Sequence, residues 1–382
     1  MKFFHLSDLH IGKSVNGFSM IEEQKHIFNQ IISHVKSKKP SAIIFAGDIY
    51  DRPVPSVEAV QVFDNFLTEL SENNIAILLI SGNHDSPERI NYASRLLINK
   101  NIFFYGVFDG SLKKISLKDE YGEINFHLMP FIKPLSAAGI IGKMEIESYD
   151  ELISHVIKNA AIDFSGRNVL VSHQFFCKAG LSAIRSDSEL MPVGSLDAVD
   201  ADLIKDFDYA ALGHLHGRQE AGSPHIHYSG SLLKYSFSEW RHEKSLTLIE
   251  LKEKGNIKME FLPLNPIHQM REIRGKIDNI ISNSISESEI EGKYDYLRVI
   301  LTDEEEIIDP MGKLRSVYPN IMSLDFENSR LTLDLFTEDK NKSENLTPYQ
   351  MFEEFFLDTM GSTMNMEQKK IVQDLLERIS AE

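Results

Sequence analysis

Apolar and polar positions alternate along the first 220 residues in the way that α/β domains require. Five apolar runs have the length of strands, at residues 3–6, 42–46, 76–80, 169–171 and 209–212. Three longer segments, at residues 20–38, 57–71 and 149–161, have the pattern of helices that bury one face. Short strands that alternate with such helices predict an α/β fold.

From about residue 225 the pattern becomes richer in strands. Residues 245–251 and 257–262 are separated by a polar turn at Gly255, and this predicts a hairpin. Pro263 and Pro266 then interrupt the pattern. We therefore place a domain boundary here and assign residues 1–268 to the first domain.

Two smaller regions are expected beyond that boundary. Residues 269–338 contain strand-like segments at 294–301 and 321–326 with a helix between them, which predicts a small α/β module. Residues 339–382 begin with a polar linker at 339–344 and continue with two helices. These helices carry apolar faces that include Phe352 and Leu375, and an apolar face beyond a linker favours docking on a partner protein.

Charge and cysteine content narrow the class of protein. The 382-residue chain has a formal net charge of −17, of which residues 271–382 contribute −11, and its last histidine is His268. An acidic chain has no broad basic surface, which counts against strong nucleic-acid binding by this chain alone, although a partner could supply positive charge. Cys177 is the only cysteine and the first residues do not form a signal peptide, so we expect a cytoplasmic protein.

Each of the five predicted strands ends in residue types that bind metals. The segments that follow them read Ser-Asp-Leu-His, Gly-Asp, Gly-Asn-His-Asp, Ser-His-Gln and Gly-His-Leu-His. We expect Asp8 and His10 to point to the same side, because an extended chain alternates its side chains. Ligands of α/β proteins gather beyond the carboxyl ends of strands. The pattern thus predicts one site that collects Asp8, His10, Asp48, Asn83, His84, His173, His214 and His216.

The residue types of this set indicate which ions it would bind. Carboxylate, amide and imidazole groups without thiolate suit Mn²⁺, Fe²⁺ or Zn²⁺ in expanded coordination. The ligands are too many for one tetrahedral site, and a shared carboxylate could bridge two ions about 3.5–4 Å apart, as in two-metal phosphoryl chemistry. Taken alone, Asp8 or Asp48 would be an ordinary loop or cap residue, and His173 a core histidine. His5 lies on the opposite strand face from Asp8 and His10 and is expected in the core or directly behind the ligands.

In this order the motifs resemble the calcineurin-like metallophosphoesterase family. The longer stretches 5–13, 47–52, 81–86, 211–216 and 228–231 closely resemble the SbcD branch of that family, bacterial nuclease subunits that work with an SMC-like ATPase. The resemblance implies a four-layer α/β/β/α sandwich, a capping domain at 269–338 and C-terminal helices that bind the ATPase. It also implies two divalent metal ions, with Mn²⁺ first and Mg²⁺, Fe²⁺ or Zn²⁺ as alternatives.

The resemblance also assigns a role to each matching residue. It places one metal on Asp8, His10, Asp48 and His216, and the other on Asp48, Asn83, His173 and His214, so that Asp48 bridges the two. His84 would contact the scissile phosphate and help the leaving oxygen depart, with Asp85 as its orienting partner. Archaeal relatives carry a second histidine where this chain has Asp51, so no role is carried over to that residue.

The implied activity is Mn²⁺-dependent hydrolysis of DNA, as an exonuclease on duplexes and an endonuclease on single strands or hairpins, in repair and recombination. The implied partner is an SbcC-like ATPase, with a homodimer of this chain inside a heterotetramer. Lys13, Arg52, Arg89 and Tyr235 are candidate contacts to the DNA backbone, and for each a plain surface role is as well supported.

Two other functions are compatible with the sequence. A phosphatase or phosphodiesterase of the same fold could act on a small molecule or a phosphoprotein, but it would not need the regions beyond residue 268. A scaffold that has lost its metals is the other alternative, and the complete ligand set counts against it.

Overall fold

The computed structural model describes residues 1–142, 146–178, 185–189, 198–286, 292–327, 348–361 and 363–380. The chain divides into two compact units, Met1–Gln269 and Met270–Glu382. This division lies next to the boundary that we predict at residue 268. The predicted linker at 339–344 lies outside the described residues, so a separate region at 339–382 stays a prediction.

The first unit contains sixteen strands, six α-helices and three short 3₁₀ helices (Ile98–Lys100, Ala201–Ile204 and Phe237–Glu239) within the described residues. The strands are β1 (Lys2–Leu6), β2 (Ser14–Val15), β3 (Phe18–Ser19), β4 (Ala42–Ala46), β5 (Ala76–Ile80), β6 (Ile102–Tyr105), β7 (Lys113–Asp119), β8 (Gly122–Met129), β9 (Arg167–Ser172), β10 (Phe176–Cys177), β11 (Val199–Asp200), β12 (Tyr209–Leu212), β13 (Gln219–Glu220), β14 (Ile226–Tyr228), β15 (Ser245–Leu251) and β16 (Ile257–Pro263). The helices are α1 (Ile21–Lys38), α2 (Val57–Ser71), α3 (Pro87–Ile90), α4 (Ser94–Leu97), α5 (Pro134–Ile141) and α6 (Tyr149–Asn159).

Twelve of these strands form two six-stranded mixed sheets, while β2 pairs with β3 and β10 pairs with β11. The first has the order β16-β15-β1-β4-β5-β6, and the second has the order β13-β14-β12-β9-β8-β7. Strands β1, β4, β5 and β6 run parallel to one another in the first sheet, and β8, β9, β12 and β14 run parallel in the second. The five predicted strands are therefore confirmed, and they occupy central positions where both faces are covered.

The two sheets pack face to face and carry helices on their outer faces. Between the sheets, the rings of Phe3 and Phe126 meet edge to face with centroids 5.4 Å apart. Outside the first sheet, Phe28 of α1 stacks on Phe66 of α2 at 4.2 Å. Outside the second sheet, a core cluster joins α6 to β9 and β12. The result is the four-layer α/β/β/α sandwich that the resemblance implies.

The second unit has a small parallel sheet and four helices within its described residues. The elements are β17 (Met270–Gly275), α7 (Ile277–Ser286), β18 (Tyr296–Leu301), α8 (Pro310–Arg315), β19 (Ile321–Phe326), α9 (Pro348–Met360) and α10 (Met366–Ser380). Strands β17, β18 and β19 pair in that order. Leu297, Val299 and Leu301 of the central strand pack with α7 and α8. The predicted α/β module and both terminal helices are present.

Several elements were not predicted from the sequence pattern, among them the β7–β8 hairpin, strand β17 and helix α7. Strands β7 and β17 mix charged and apolar residues over mostly exposed or half-buried faces, and β8 begins with polar, partly exposed residues before its buried end. Such patterns give a weaker signal than the continuous apolar runs. Helix α7 follows β17 directly and is short. A sequence pattern identifies fully buried strands more readily than such half-exposed ones.

Candidate metal centre

The five predicted strand ends meet in the structure. Strands β1, β4 and β5 of one sheet and β9 and β12 of the other direct their carboxyl ends to the same edge of the sandwich. Three overlapping groups of ligand atoms, each within 4.8 Å, form there: Asp8, His10 and His216; His10, Asp48 and His84; Asp8, Asp48 and His173. Asn83 and His214 join them through hydrogen bonds. All seven residues that the sequence predicts as metal ligands are thus brought together.

The loop backbone at the site departs from the extended chain that we expect from the sequence. Asp8 and His10 have φ of 53° and 44°, and Asp48 and His214 have φ of 51° and 102°. The prediction that Asp8 and His10 share a side because the chain is extended is therefore wrong, since both residues follow the end of β1 in left-handed conformation. Left-handed backbone at non-glycine residues is strained and clusters at functional sites.

Buried hydrogen bonds hold this strained loop in place. The backbone N–H groups of Asp8 and His10 donate to the carbonyls of Gly47 and Asp48 at 3.1 and 3.0 Å. The Gln24 amide donates to the His10 carbonyl at 2.8 Å and accepts from the Gly12 N–H at 3.1 Å. The first residues of α1 thereby fix the loop that carries two ligands.

Two glycines allow the strand ends to approach the ligands. A Cβ on Gly82 would lie 2.0 Å from Asp48 Oδ1, and a Cβ on Gly213 would lie 2.1 Å from the Ala46 carbonyl oxygen and 2.6 Å from His173 Nδ1. No side chain fits at such distances. The glycines of the Gly-Asn-His-Asp and Gly-His-Leu-His motifs are therefore required by packing.

Asp48 occupies the centre of the cluster. Its Oδ2 lies 3.3 Å from His173 Nε2, 3.7 Å from His10 Nε2 and 4.0 Å from His84 Nε2. Its Oδ1 accepts the backbone N–H of His84 at 2.9 Å. One carboxylate thus faces histidines from both predicted halves of the site, which is the position that a bridging ligand requires.

The remaining donors fit divalent cations. The Nε2 atoms of His10 and His216 face each other at 3.0 Å. Asn83 Oδ1 faces His173 Nε2 at 3.1 Å and His214 Nδ1 at 3.0 Å. Imidazole nitrogens and oxygen atoms that converge in this way, beside the buried carboxylates of Asp8 and Asp48, form a divalent-metal site.

The electrostatics of the cluster show how its charges are balanced. Burial opposes protonation of His173, yet the Asp48 and Asp8 carboxylates raise its pKa to about 9. Burial also disfavours the Asp48 carboxylate, but His173 and His10 hold its pKa well below the usual value. Burial lowers the pKa of His10, and that of His214 to about 3. The two carboxylates thus favour a positive charge at this position. A bound metal ion would supply that charge in place of the proton on His173.

His84 lies at the open side of the cluster, and its orienting contact differs from the predicted one. Its Nδ1 donates to the Asp51 carbonyl oxygen at 2.9 Å, which leaves Nε2 on the side of Asp48. The Asp85 carboxylate instead accepts backbone N–H groups of Gly82, Ile49 and Tyr50 at 2.9 to 3.1 Å. The direct orientation of His84 by Asp85 that we expected is therefore corrected: Asp85 ties two ligand loops together, and Asp51 orients His84.

The predicted DNA contacts differ in their exposure. The Arg52 side chain is 82% exposed, and Arg89 is also exposed. Lys13 forms an ion pair with Asp51 at 2.7 Å. Tyr235 is 3% exposed, and its hydroxyl donates to the Leu9 carbonyl and accepts from the Gln24 amide. The prediction that Tyr235 contacts DNA is wrong, because its ring and hydroxyl are buried behind the metal loop.

Four residues near His216 were missed by the sequence analysis. Ser188 Oγ lies 2.6 Å from His216 Nδ1, and Glu189 accepts the His216 backbone N–H at 2.8 Å. Glu239 lies beside them and pairs with Lys244 at 2.6 Å. The contacts that these residues make with His216 span 23 to 28 positions, so no local spacing relates them to this ligand. By contrast, His5 lies in the core as predicted, where it bonds to the Tyr209 hydroxyl at 2.8 Å.

Comparison with known families agrees with the fold and the site. Residues 1–218 match the model of the calcineurin-like phosphoesterases, and residues 266–359 match the type 5 capsule protein repressor C-terminal domain. The first match covers more than half of the chain and contains all the predicted metal ligands. The class that the fold and site define is therefore the calcineurin-like metallophosphoesterases.

Relatives specify the branch. A protein from Staphylococcus epidermidis, named as the SbcD component of the nuclease SbcCD, is 33% identical over 328 residues, which is 85% of each chain. The protein of the same name from Staphylococcus saprophyticus is 30% identical over 98% of each chain. The chain belongs to the SbcD family within the calcineurin-like phosphoesterases.

A solved structure matches only weakly. The phosphopantetheinyl hydrolase from Mycobacterium tuberculosis is 14% identical over 63% of this chain and 91% of its own, with a TM-score of 0.37. Separately, none of the helices described in the structure has both the length and the apolar character needed to cross a membrane.

Proposed function

We propose that this protein is the nuclease component of an SbcCD-type complex and hydrolyses DNA phosphodiester bonds with two divalent metal ions. The observation that supports this most is the convergence of six candidate ligands around a seventh, Asp48, in a chain whose relatives are named as the SbcD component of the nuclease SbcCD. Exonuclease action on duplex DNA and endonuclease action on single strands or hairpins are the activities we propose for it, in DNA repair and recombination.

The ligand set divides into two overlapping groups. Asp8, His10, Asp48 and His216 would hold one ion, and Asp48, Asn83, His173 and His214 would hold the other. This division is supported by the His10–His216 approach on one side and the contacts of Asn83 with His173 and His214 on the other. Divalent ions in such a site activate water and neutralise charge on the phosphate. Mn²⁺ is the ion we propose, because nitrogen and oxygen donors without thiolate suit it.

His84 supplies the proton in this proposal. Its Nδ1 bond to the Asp51 carbonyl fixes the ring, so Nε2 faces the centre of the site and not the protein interior. Only 12% of the side chain is exposed, which is enough for a phosphate to reach it from the open side. A histidine held in this way contacts the phosphate and protonates the leaving oxygen.

DNA would approach on the exposed side of the ligand loops. Arg52 and Arg89 are the exposed cations we propose as backbone contacts. Lys13 already neutralises Asp51, and a phosphate could compete for it. The net charge of −17 means that these few contacts are not a broad basic surface, so the partner is expected to add affinity for DNA.

The partner in this proposal is an SbcC-like ATPase that binds the terminal helices. Helices α9 and α10 expose large apolar side chains, including Phe355 at 62% and Ile371 at 55%. Amphipathic helices with exposed apolar faces dock in grooves of partner proteins. We propose a cytoplasmic heterotetramer that contains two copies of each chain.

The phosphatase alternative is not favoured. The relative that matches this chain over 98% of both lengths carries the nuclease name and includes the second unit. The scaffold alternative requires a damaged ligand set, and all seven candidate ligands are present, five of them buried and Asn83 and His214 half-buried.

Cleavage of labelled DNA tests this function. Wild-type protein with Mn²⁺ is expected to cut a duplex and a single strand, and His84→Ala is expected to lose cleavage while it still binds two ions. His155→Ala, on the outer helix α6, serves as the control and should cut like wild type. Cleavage of bis-p-nitrophenyl phosphate without any cleavage of DNA, in the presence of an SbcC-like ATPase as well, would contradict the proposed substrate.

A further inference from the structure

A group of buried polar residues surrounds the side of His216 that faces away from the other ligands. His216 Nε2 points to His10, as a metal ligand should, and its Nδ1 points to Ser188 Oγ at 2.6 Å. Ser188 donates its hydroxyl hydrogen to Glu239 Oε1, which itself lies 3.3 Å from His216 Nδ1. An imidazole that ligates a metal through one nitrogen commonly donates its other N–H to such a partner.

Glu239 can accept hydrogen bonds on the Nδ1 side of His216 only because a nearby positive charge balances its own negative charge. Its side chain is fully buried, and Lys244 pairs with Oε2 at 2.6 Å. The Lys244 ammonium group also donates to the His216 carbonyl at 2.9 Å and to Ser231 Oγ at 2.7 Å. A buried carboxylate without such a partner would be costly. The lysine therefore keeps Glu239 ionised and ties it to the backbone of the ligand.

The direction of the hydrogen bonds selects one tautomer of His216. Since the Ser188 hydroxyl donates to Glu239, its oxygen accepts the hydrogen of His216 Nδ1. Nε2 then carries a lone pair directed at the site. The Glu189 carboxylate accepts the backbone N–H of His216 at 2.8 Å, so both the ring and the main chain of His216 are fixed.

We infer that Glu239, acting through Ser188, is a positioning residue that sets the tautomer and orientation of His216 for the ion held by Asp8, His10, Asp48 and His216. This inference rests on the ligand role proposed for His216. Glu239 and Ser188 touch no metal and no substrate in this account. They are predicted to affect the affinity for one ion and leave the other ion unchanged.

The test is the affinity of the full chain for Mn²⁺ without DNA, measured by isothermal titration calorimetry. Glu239→Gln and Ser188→Ala are expected to weaken one of two Mn²⁺ sites by about 10–100-fold, the range found for outer partners of metal ligands. Ser188→Thr keeps the hydroxyl and is expected to restore the affinity. Wild-type affinity at both sites in Glu239→Gln and in Ser188→Ala would overturn the inference.

Asp208→Asn is the matched control. Asp208 is also a buried carboxylate that pairs with a lysine, Lys254 at 3.2 Å, and it accepts backbone N–H groups of Asn168 and Gly255. It lies just before β12, at the opposite end from the ligands. Its substitution should lower thermal stability and leave both Mn²⁺ affinities within about twofold of wild type, well inside the range above. A loss of affinity in Glu239→Gln that Asp208→Asn reproduces would mean a general structural effect and would overturn the inference.

His216→Ala separates this inference from the proposed ligand set. If His216→Ala loses one ion while Glu239→Gln and Ser188→Ala keep both, the ligand assignment stands and the positioning role is wrong. If His216→Ala itself binds two ions with wild-type affinity, His216 is not a ligand, and both conclusions fail. If Glu239→Gln does not fold, the comparison of Ser188→Ala with Ser188→Thr is sufficient for the test.

Discussion

The two ends of the same sheets differ in how their charged side chains are arranged. At the amino ends of β1 and β9, Arg167 pairs with Asp119 through both of its terminal nitrogens and donates to the carbonyls of Gly122 and Lys252. The amino terminus of Met1 joins the same carboxylate. At the carboxyl ends, imidazoles and carboxylates face one another around Asp48 instead. At the amino ends, each hydrogen-bond donor meets an acceptor, and such a network contributes stability. At the carboxyl ends, lone-pair atoms of imidazoles and carboxylates converge on one point, and this arrangement requires a cation.

The backbone differs between the two ends as well. The ligand loops contain Asp8, His10, Asp48 and His214 in left-handed conformation. Such conformations persist only where surrounding contacts enforce them, as Gln24 and Asp85 do here. Backbone strain and unbalanced charge therefore lie together at one edge of the sandwich. We expect function to be confined to that edge, and substitutions at the two edges test this.

Replacement of the central carboxylate should have the largest effect. Asp48→Ala removes the oxygen atoms shared by both groups of ligands. Metal affinity and the rate of cleavage are therefore expected to fall by more than about 10–100-fold, the loss found when a residue that only hydrogen-bonds to a metal ligand is replaced. Metal content of the purified variant and its rate of DNA cleavage are the measurements. Full activity of Asp48→Ala would show that the catalytic centre lies elsewhere.

Loss of His84 should reduce the rate and spare the metals. His84→Ala is expected to lower the rate of cleavage by about 10²–10⁴-fold, the usual contribution of a positioned acid or base. Calorimetry should show two bound ions, since His84 is not among the proposed ligands. A variant that loses an ion together with its activity would assign His84 to the ligand set.

Removal of Asp85 should affect stability more than chemistry. Asp85→Ala leaves the N–H groups of Gly82, Ile49 and Tyr50 without their acceptor, and the free energy of unfolding should fall by on the order of 3 kcal/mol. Chemical denaturation measures this change, with Asp163→Ala, an exposed carboxylate that accepts from Ser165, as the control. An unchanged midpoint would remove Asp85 from the set of residues that fix the loops.

The opposite edge should contribute stability without activity. Arg167 holds the pKa of Asp119 below its usual value, and Asp119→Asn should lower the free energy of unfolding at neutral pH by about 1–3 kcal/mol. A depressed folded-state pKa gives stability that is present above the unfolded value, about 3.9, and is lost as the pH falls. The difference between wild type and variant should therefore shrink below about pH 4. DNA cleavage per folded molecule should stay the same, and a loss would mean that the two edges are coupled.

Sequence and structure agree where the signal is local. The apolar runs of β1, β4, β5, β9 and β12 are buried on both faces, and the residues after them belong to motifs with fixed spacing. Strand β7, which is exposed or half-buried along its length, and strand β8, which begins with polar residues, gave no such signal. The αL conformation of Asp8 could not be predicted, because it depends on carbonyls of a different loop.

Long-range partners explain the remaining differences. The Asp51 carbonyl that orients His84 is a backbone atom, and no residue type marks it in the sequence. Glu239 contacts His216 across 23 residues, and Tyr235 is buried by Leu9 and Gln24 from the other end of the chain. Each of these contacts exists only because two distant loops meet at the same edge of the two sheets.

Anomalous diffraction from crystals grown with Mn²⁺ would locate the bound ions and show whether the centre is dinuclear. We expect two peaks about 3.5–4 Å apart at the carboxyl ends of the strands. The Asp48 carboxylate should lie between them, with His216 beside one ion and His214 beside the other. A single peak, or two peaks that do not share Asp48, would contradict a dinuclear centre built from these residues.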